Sequence, residues 1–342
     1  MILVGNVFHM LAYAFRSLSI GGISNIGSEQ FDNLHELFAE IVTRGMRRQL
    51  KRWLPKGYKN ESEELGNLRG KIDIQSSIRS QTQVRHRLVC EFDEFTEDTQ
   101  GNRIIKCAIA HLLRKGDVSN DRKRFLKFLH SSLGSVADVQ YQVISPQRIG
   151  GAEYVMIVNI CRFLLSGLLM KTGSGHKMLE WLNDEKMSAL YERFLLEYFK
   201  RHHPELNARS AGIAWDSEDV SPNMPNMRSD VCLTYGGKTL IIDTKFYNRA
   251  MVEHFGKKTY HSHNIYQIFA YVKNADKEKD GNVSGMLLYA KTDELVTPDS
   301  DSTIGGNRIS VKTLDLSGRF DVARSQLERI AETLKRSKME WL

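Results

Sequence analysis

The residues best suited to chemistry lie in the segment MRSDVCLTYGGKTLIIDTKFY, in the second half of the chain. Two strand-like runs flank Gly236 and Gly237, and such a pair suits the positive φ angles of a two-residue hairpin turn. If these glycines form the turn, the register places Asp230 directly opposite Asp243. Because strand side chains alternate between two faces, Lys245 shares the face of Asp243. The sequence therefore predicts two carboxylates and an ammonium on one side of a hairpin.

Like charges on directly facing strand residues are destabilising, so Asp230 and Asp243 require a reason to face each other. A hard divalent cation such as Mg²⁺ supplies one, because carboxylate oxygens are its preferred ligands. Lys245 could then orient an attacking water or stabilise charge on a scissile phosphate. The alternative is an exposed strand end beside a surface Asp–Lys pair. The apolar run before Asp243 favours a central strand, where an unused carboxylate would be costly.

Two helices are predicted to complete this site. In MSALYERFLLEYFKR, Glu197 continues the stripe of Leu190 and Phe194, which indicates an inward carboxylate. We expect Glu197 to be a third metal ligand; a structural ion pair is the alternative. Downstream, Gln267 and Tyr271 lie one helical turn apart, where they could brace the lysine, contact DNA or form a polar solvent face.

Other motifs are weaker. GGKT resembles the end of a nucleotide-binding Walker loop, but Cys232 stands where that motif needs its first glycine. We therefore predict no nucleotide site. His261 and His263 lack a second ligand cluster at metal-site spacing and are interpreted as ordinary loop histidines. No GxSxG motif or Cys/His pairing indicates a covalent nucleophile.

The elements around the hairpin predict an α/β fold with a mixed sheet flanked by helices in the C-terminal half. Helical periodicity is found at 186–202, at 262–273 and at the end of the chain. Further strands are predicted near Ile213, at 284–289 and at 308–314.

The N-terminal half is predicted to be an α+β region, rich in helices and with a small sheet. Helices are expected at 6–18, 28–54, 102–115, 120–133 and 152–169, and strands at 67–74 and 86–95. The Gly/Ser-containing segment 171–177 is the best linker, which gives two domains, residues 1–172 and 177–342.

One segment of the N-terminal half, RGMRRQLKRWLPKGYK, is strongly basic. It is interpreted first as a solvated helix face; the alternative, a contact for phosphates or an acidic partner, gains support from Trp53 and Tyr58 nearby.

The composition suits a soluble protein with an anionic partner. The 342 residues carry a net charge of +7 and have a pI of about 9.1, and basic proteins of this kind often bind nucleic acid. The four cysteines form no CxxC pair and are expected to be buried thiols. No signal peptide or membrane span is predicted, so we expect a cytoplasmic protein.

The pattern of two aspartates and a lysine on a hairpin, with a preceding helical Glu and a following QxxxY, resembles the PD-(D/E)xK nuclease superfamily. Ser229 replaces the proline that usually precedes the first aspartate. A closer resemblance, to the McrC family of nuclease subunits in McrBC modification-dependent restriction systems, covers nearly the whole chain. It is carried by NVFHMLAYAF, GKIDIQSSIR, FDEFTEDTQGNRIIK, MSALYERFLLEY, IIDTKFY and HSHNIYQIFAY.

This resemblance implies a Mg²⁺-dependent endonuclease acting on double-stranded DNA, with catalytic residues Asp230, Asp243 and Lys245 and Glu197 as a further ligand. It also implies an AAA+ GTPase partner resembling McrB, which recognises methylated cytosine and is stimulated by the subunit. The N-terminal half would dock onto the ring that this partner forms. Two alternatives remain open at this point. One is a stand-alone RecB-like nuclease, and the other is a non-catalytic scaffold subunit that binds DNA and activates its partner.

Overall fold

The computed structural model describes most of the chain as two compact units. One unit contains residues 33–168, and the other combines residues 2–15 with the C-terminal part of the chain. The described residues are 2–15, 31–139, 149–168, 184–217, 219–246, 251–254, 257–291 and 297–336.

The first helix, α1, belongs to the C-terminal unit, and the unit of residues 33–168 follows it along the chain. That unit has a helical part and a three-stranded antiparallel sheet in the order β1-β3-β2. Helix α1 spans Val4–Ala14. The elements of the unit of residues 33–168 are α2 (Leu34–Lys51), β1 (Gly57–Leu65), β2 (Lys71–Ile72), α3 (Ile74–Arg79), a 3-10 turn (Thr82–Arg85), β3 (Leu88–Thr96), α4 (Gln100–Lys115), α5 (Asn120–Ser132) and α6 (Ala152–Leu168).

The predicted helices of this region and its small sheet are confirmed, but one strand prediction was wrong and one strand was missed. The segment 67–74 forms only the short β2, because Asp73 caps α3 by accepting a hydrogen bond from the Ser76 N–H at 3.0 Å. The nine-residue β1 was not predicted. Its sequence, GYKNESEEL, is largely polar and mostly exposed, so it lacks the apolar alternation that indicates a strand.

The C-terminal unit is built on a mixed five-stranded sheet in the order β11-β12-β10-β7-β6. Its central strands β7, β10 and β12 are parallel to one another, and β6 and β11 are antiparallel edge strands. Its elements after α1 are α7 (Asp184–His202), a 3-10 turn (Pro204–Leu206), β4 (Gly212–Ile213), β5 (Met227–Arg228), β6 (Val231–Tyr235), β7 (Lys238–Lys245), β8 (Met251–His254), β9 (Lys257–Tyr260), α8 (Ser262–Ala275), β10 (Val283–Ala290), β11 (Ser300–Ile304), β12 (Asn307–Leu314) and α9 (Phe320–Lys335).

This mixed sheet confirms the predicted α/β class, and helices cover both of its faces. Helix α8 packs on β7, β10 and β12 through Ile241, Ile268, Val272 and Leu287, all nearly or fully buried. Helices α7 and α9 contact β6 and β7. Side-chain alternation along β7 therefore sends one set of residues towards α8 and the other towards α7 and α9.

The predicted domain division differs from the observed one at the start of the chain. Helix α1, expected in a domain of residues 1–172, packs on α7 in the C-terminal unit. Asn6 Nδ2 donates hydrogen bonds to the carbonyls of Leu316 at 2.7 Å and Gly318 at 2.8 Å. The Tyr13 ring lies 5.5 Å from that of Phe194. The predicted linker, 171–177, lies outside the described residues.

The close approach of α8 to the sheet depends on a glycine in β10. A Cβ on Gly285 would stand 2.7 Å from Ile268 Cγ1 and 2.8 Å from Val272 Cγ2. We expect Gly285→Ala to destabilise the protein by about 1–3 kcal/mol through overpacking. Urea unfolding measures this effect. The control is Gly212→Ala, because no atom lies within 4 Å of the added Cβ. Equal stability of the two variants would contradict the prediction.

The long apolar run from Tyr154 onward forms α6, a helix of the first unit. Among the residues that the structure describes, no helix combines the length and apolar character needed to cross a membrane.

Candidate active site

The Gly-Gly hairpin forms as predicted. Gly236 and Gly237 have φ angles of 54° and 77°, and Tyr235 pairs with Lys238 across the turn. The ladder continues outward to Val231, which faces Ile242. The GGKT sequence is thus a turn leading into a strand, where a Walker loop would lead into a helix.

Asp243 lies near the end of β7, a strand that has neighbours on both sides. It is only 2% exposed. Burial, opposed by the charge of Lys245 and reinforced by that of Asp230, raises the pKa of Asp243 to about 6. The predicted central strand is confirmed, and the alternative of a surface Asp–Lys pair is excluded. A positive charge placed beside Asp243 would therefore stabilise its charged form.

Lys245 is held on the same side of the hairpin as Asp243. Its Nζ lies 2.6 Å from Asp243 Oδ2 and donates a hydrogen bond to Gln267 Oε1 at 3.0 Å. Gln267 Nε2 in turn donates to the Tyr271 hydroxyl at 2.9 Å. Of the three readings that the sequence left open for Gln267 and Tyr271, the structure supports the brace for the lysine. The ammonium is therefore fixed by α8 as well as by β7.

Asp230 directly precedes β6, where the register predicts it opposite Asp243. Its Oδ2 accepts hydrogen bonds from the Thr244 N–H at 2.7 Å and the Thr244 hydroxyl at 2.8 Å. Ser229 supports this position, since its N–H donates to the Ala211 carbonyl at 2.9 Å. A proline could not donate that hydrogen bond, which gives a physical reason for the serine that replaces it.

The aspartates act electrostatically on a carboxylate of α7 that the sequence analysis did not name, Glu192. Burial, followed by the negative charge of Asp230, raises the pKa of Glu192, and Asp243 acts in the same direction. Glu197 lies on the same helix, α7, and forms an ion pair with Lys200 at 3.5 Å. The structural ion pair, which was the alternative reading of Glu197, is thus present. The sequence analysis did not single out Glu192.

Glu192 was missed because α7 has no single buried stripe. The helix packs against α1 on one side and against β6 and β7 on another. Its buried residues accordingly include both Leu190 and Tyr191, and both Phe194 and Leu195. A stripe drawn through Leu190 and Phe194 does not reveal which flank of the helix meets the aspartates.

A second polar contact lies beside the lysine. Asn264, in the first turn of α8, is fully buried and donates from Nδ2 to the Tyr289 hydroxyl at 2.9 Å. Tyr289 on β10 is the register partner of Lys245 on β7. This contact ties the start of α8 to the end of β10. It thereby helps to fix the helix that carries Gln267.

The donor chemistry of this cluster suits Mg²⁺. Asp230, Asp243 and Glu192 offer hard carboxylate oxygens, and the raised pKa values of the latter two reflect burial and mutual repulsion that a cation would relieve. Within the described ranges, no three His, Cys, Asp or Glu side chains are gathered as a closed ligand set. Mg²⁺ does not require one, since it commonly uses one or two carboxylates together with water and substrate phosphates.

Within the part of the chain that the structure describes, the histidines next to α8 join no cluster of metal-binding side chains. His261 precedes the helix and His263 lies in its first turn, with their rings edge to face at a centroid distance of 5.5 Å. The cysteines are free thiols as expected, and Cys90, Cys161 and Cys232 are buried.

Comparison with known proteins gives consistent matches. The model of the family described as "McrBC 5-methylcytosine restriction system component" matches residues 6–290. The chain is 26% identical over 337 residues to the Type IV methyl-directed restriction enzyme EcoKMcrBC of Escherichia coli K12, covering 95% of each.

Among solved structures, the chain resembles a chain from an assembly of Thermococcus gammatolerans McrB AAA+ hexamers with bound McrC. The TM-score is 0.51 at 14% identity, over 95% of this chain and 76% of that one, which supports a shared fold. Because the family model spans most of its length, the chain belongs to the McrBC 5-methylcytosine restriction system component family.

Proposed function

We propose that this protein is the Mg²⁺-dependent DNA endonuclease subunit of a McrBC-type complex directed at modified cytosine. The observation that carries the proposal is the buried Asp243–Lys245 pair, with a contact of 2.6 Å, at the end of a central strand. Asp230 and Glu192 add charge of the same sign as Asp243. An acidic cluster with one braced lysine suits hydrolysis of a phosphodiester, whose transition state carries additional negative charge.

Asp230 and Asp243 would hold Mg²⁺, which when bound would activate the attacking water and neutralise charge on the scissile phosphate. Lys245 would place its ammonium against a non-bridging phosphate oxygen, in a position fixed by Gln267. Glu192, with its raised pKa, would hold the water through a hydrogen bond and accept its proton. Tyr271 would act only through Gln267, as a positioning residue.

The partner in this proposal is an AAA+ GTPase ring like McrB, which the chain would bind and stimulate in the cytoplasm. Membership of the McrBC family supports it, as does the likeness to a chain from the assembly of McrB hexamers with bound McrC. Recognition of modified cytosine and GTP hydrolysis would belong to that ring. The nuclease unit described above would supply the cleavage.

The test is cleavage of a plasmid carrying 5-methylcytosine, compared with the unmodified plasmid, in Mg²⁺ and GTP. We expect cleavage of the modified plasmid only when this protein and its ring partner are both present. Robust cleavage by the protein alone would favour a stand-alone RecB-like nuclease. Failure to cleave with any nucleotide, despite stimulation of the partner's GTPase, would favour a scaffold subunit.

The two glutamates of α7 offer a matched pair for this assay. Glu192→Gln is expected to reduce cleavage roughly 10²- to 10⁴-fold, the range typical for loss of a group that accepts a proton in the reaction. Glu197→Gln makes the same chemical change on the same helix and is expected to leave the rate within about twofold of wild type. The rates are measured at saturating partner. A larger loss in the Glu197 variant would restore Glu197 as the third acidic residue of the site.

A further inference from the structure

Charge is strongly segregated within the unit of residues 33–168. The C-terminal half of α2 with its C-cap residue, from Arg44 to Arg52, and the whole of α5 together carry nine lysines and arginines and one acidic residue, Asp121. Strands β1 and β3 together carry six acidic residues and one lysine. The two helices pack against each other. One part of this unit is therefore strongly basic and another strongly acidic.

The acidic residues of α2 do not neutralise most of this basic charge. Glu36 and Glu40 both contact Arg122, and Glu40 also pairs with Arg44. Arg124 lies 3.7 Å from Asp121, with both side chains more than four-fifths exposed, and such pairs contribute little. Arg48 pairs with Glu153 of α6 at 3.3 Å. Within the described part of the chain, no carboxylate lies within ion-pair distance of the other five cations, which are Arg47, Lys51, Arg52, Lys123 and Lys127.

Helix energetics explain only part of this pattern. Basic residues in the last turn of α2, such as Lys51, interact favourably with the negative end of the helix dipole. Lys123 and Arg124 lie near the start of α5, where the dipole disfavours positive charge. Lys123 and Arg124 are therefore placed against the local preference of their helix. Their position suggests an external anionic partner.

Aromatic residues accompany the cations. The Arg47 guanidinium lies 3.8 Å from the centroid of the Phe125 ring, which joins α2 to α5 and restrains the arginine. Phe128 is 58% exposed on α5. Trp53 follows the C-cap residue of α2, has a positive φ of 69° and is 80% exposed. A bulky residue in that backbone region is strained, and such strain is more common at functional positions than elsewhere.

We infer that the exposed side of α2 and α5 binds the phosphate backbone of double-stranded DNA. This basic face comprises Arg47, Lys51, Arg52, Lys123, Arg124 and Lys127. Cations that reach solvent, most of them without a carboxylate partner, gain affinity from DNA by releasing its condensed counterions, and this affinity does not depend on sequence. The acidic sheet of β1 and β3 would be repelled by the same DNA and cannot share this role. The choice of DNA over another polyanion rests on the proposed function.

The test measures binding of a short unmethylated duplex to the full-length protein by fluorescence anisotropy, over a salt series without Mg²⁺. The variant Arg124→Glu/Lys127→Glu reverses two charges on the basic face. The control, Lys71→Glu/Arg79→Glu, makes the same net charge change at exposed positions on β2 and α3. Circular dichroism and thermal unfolding establish that both variants are folded.

We expect the basic-face variant to bind DNA at least about tenfold more weakly near 0.1 M salt. Its slope of log affinity against log salt should fall by about 2, since two phosphate contacts are lost. The control should change affinity less than about threefold and keep the wild-type slope. If both variants lose the same DNA affinity, the loss is due to the change in net charge alone, and the inference is overturned. Unchanged DNA binding with lost stimulation of the partner GTPase would assign the face to a protein.

This binding assay is independent of cleavage. If the wild-type protein binds DNA through this face but never cleaves it, the proposed nuclease function fails while the inference stands. If the basic-face variant binds like wild type and cleavage is intact, the inference alone fails.

Discussion

The variant Asp243→Asn is expected to lose DNA cleavage and to gain thermal stability in the same protein. Asparagine keeps the shape of the side chain but removes the charge on which metal binding and hydrolysis depend. The loss of a metal-binding charge in this position removes several kcal/mol of transition-state stabilisation, or about 10³-fold or more in rate. A buried carboxylate used only for structure would not link these two effects.

The gain in stability follows from the pKa of Asp243. The folded protein raises it from 3.8 to about 6, so folding favours the protonated form. The stability that this group contributes is complete below about pH 3.8 and is lost as the pH rises through about 6. At pH 8 the charged carboxylate therefore destabilises the cation-free fold by about 3 kcal/mol, since each pKa unit corresponds to about 1.4 kcal/mol. Asparagine mimics the protonated form and should recover much of this energy.

Thermal unfolding of both proteins at pH 5 and pH 8, in EDTA and in Mg²⁺, measures these effects. The variant should be more stable than wild type at pH 8 in EDTA. At pH 5 this difference in stability should be smaller. Mg²⁺ should stabilise wild type at pH 8 and leave the variant unchanged. Cleavage that survived the substitution would remove Asp243 from the catalytic set. If the variant is less stable than wild type at pH 8, burial does not disfavour the charged form of Asp243 in the wild-type protein.

The hairpin of the candidate site could be predicted because its sequence determines it locally. Two adjacent glycines define the turn, and strand alternation then places Asp243 and Lys245 on one side without any knowledge of the remaining fold. The contact of Gln267 with Lys245 was one of three readings left open, because helical spacing defines a shared face but not the neighbour of that face.

Features set by long-range packing were harder to predict. Helix α1 is apolar around most of its surface, so its sequence indicates burial but not the unit against which it packs. The choice between Glu192 and Glu197 depends on the angle at which α7 meets β6 and β7, and that angle is set by residues distant in sequence. Strand β1 is exposed on much of its surface and has no apolar pattern to detect.

Replacement of Lys245 by glutamine is expected to reduce cleavage about 10²- to 10³-fold while allowing the cation to bind. That range is typical for loss of one charged or hydrogen-bonding group that stabilises a developing oxyanion. The glutamine side chain would retain a donor towards Gln267 but would bring no charge to the phosphate. Because the Lys245 charge lowers the pKa of Asp243, its removal should raise that pKa above about 6.

Two opposing effects on metal binding make this variant informative. Without Lys245, Asp243 is protonated up to a higher pH, so stabilisation by Mg²⁺ should begin at a higher pH than in wild type. Well above that pH, the cation no longer meets the repulsion of an ammonium 2.6 Å from Asp243 Oδ2, so it should bind at least as tightly. Thermal unfolding against Mg²⁺ concentration at pH 6 and pH 9 measures both effects, alongside cleavage by the complete complex.

The measurements at pH 9 distinguish two roles for Lys245, stabilisation of the phosphate and maintenance of the charge on Asp243. If Lys245 acts on the phosphate, cleavage remains lost at pH 9 even though the cation binds there. If it serves only to keep Asp243 charged, cleavage returns at pH 9 together with metal binding. The Gln267→Leu variant provides the control for position, since it keeps the ammonium but removes the oxygen that holds it at 3.0 Å. A loss smaller than that of the lysine variant, with metal binding unchanged, is expected if the braced position of the charge contributes to catalysis.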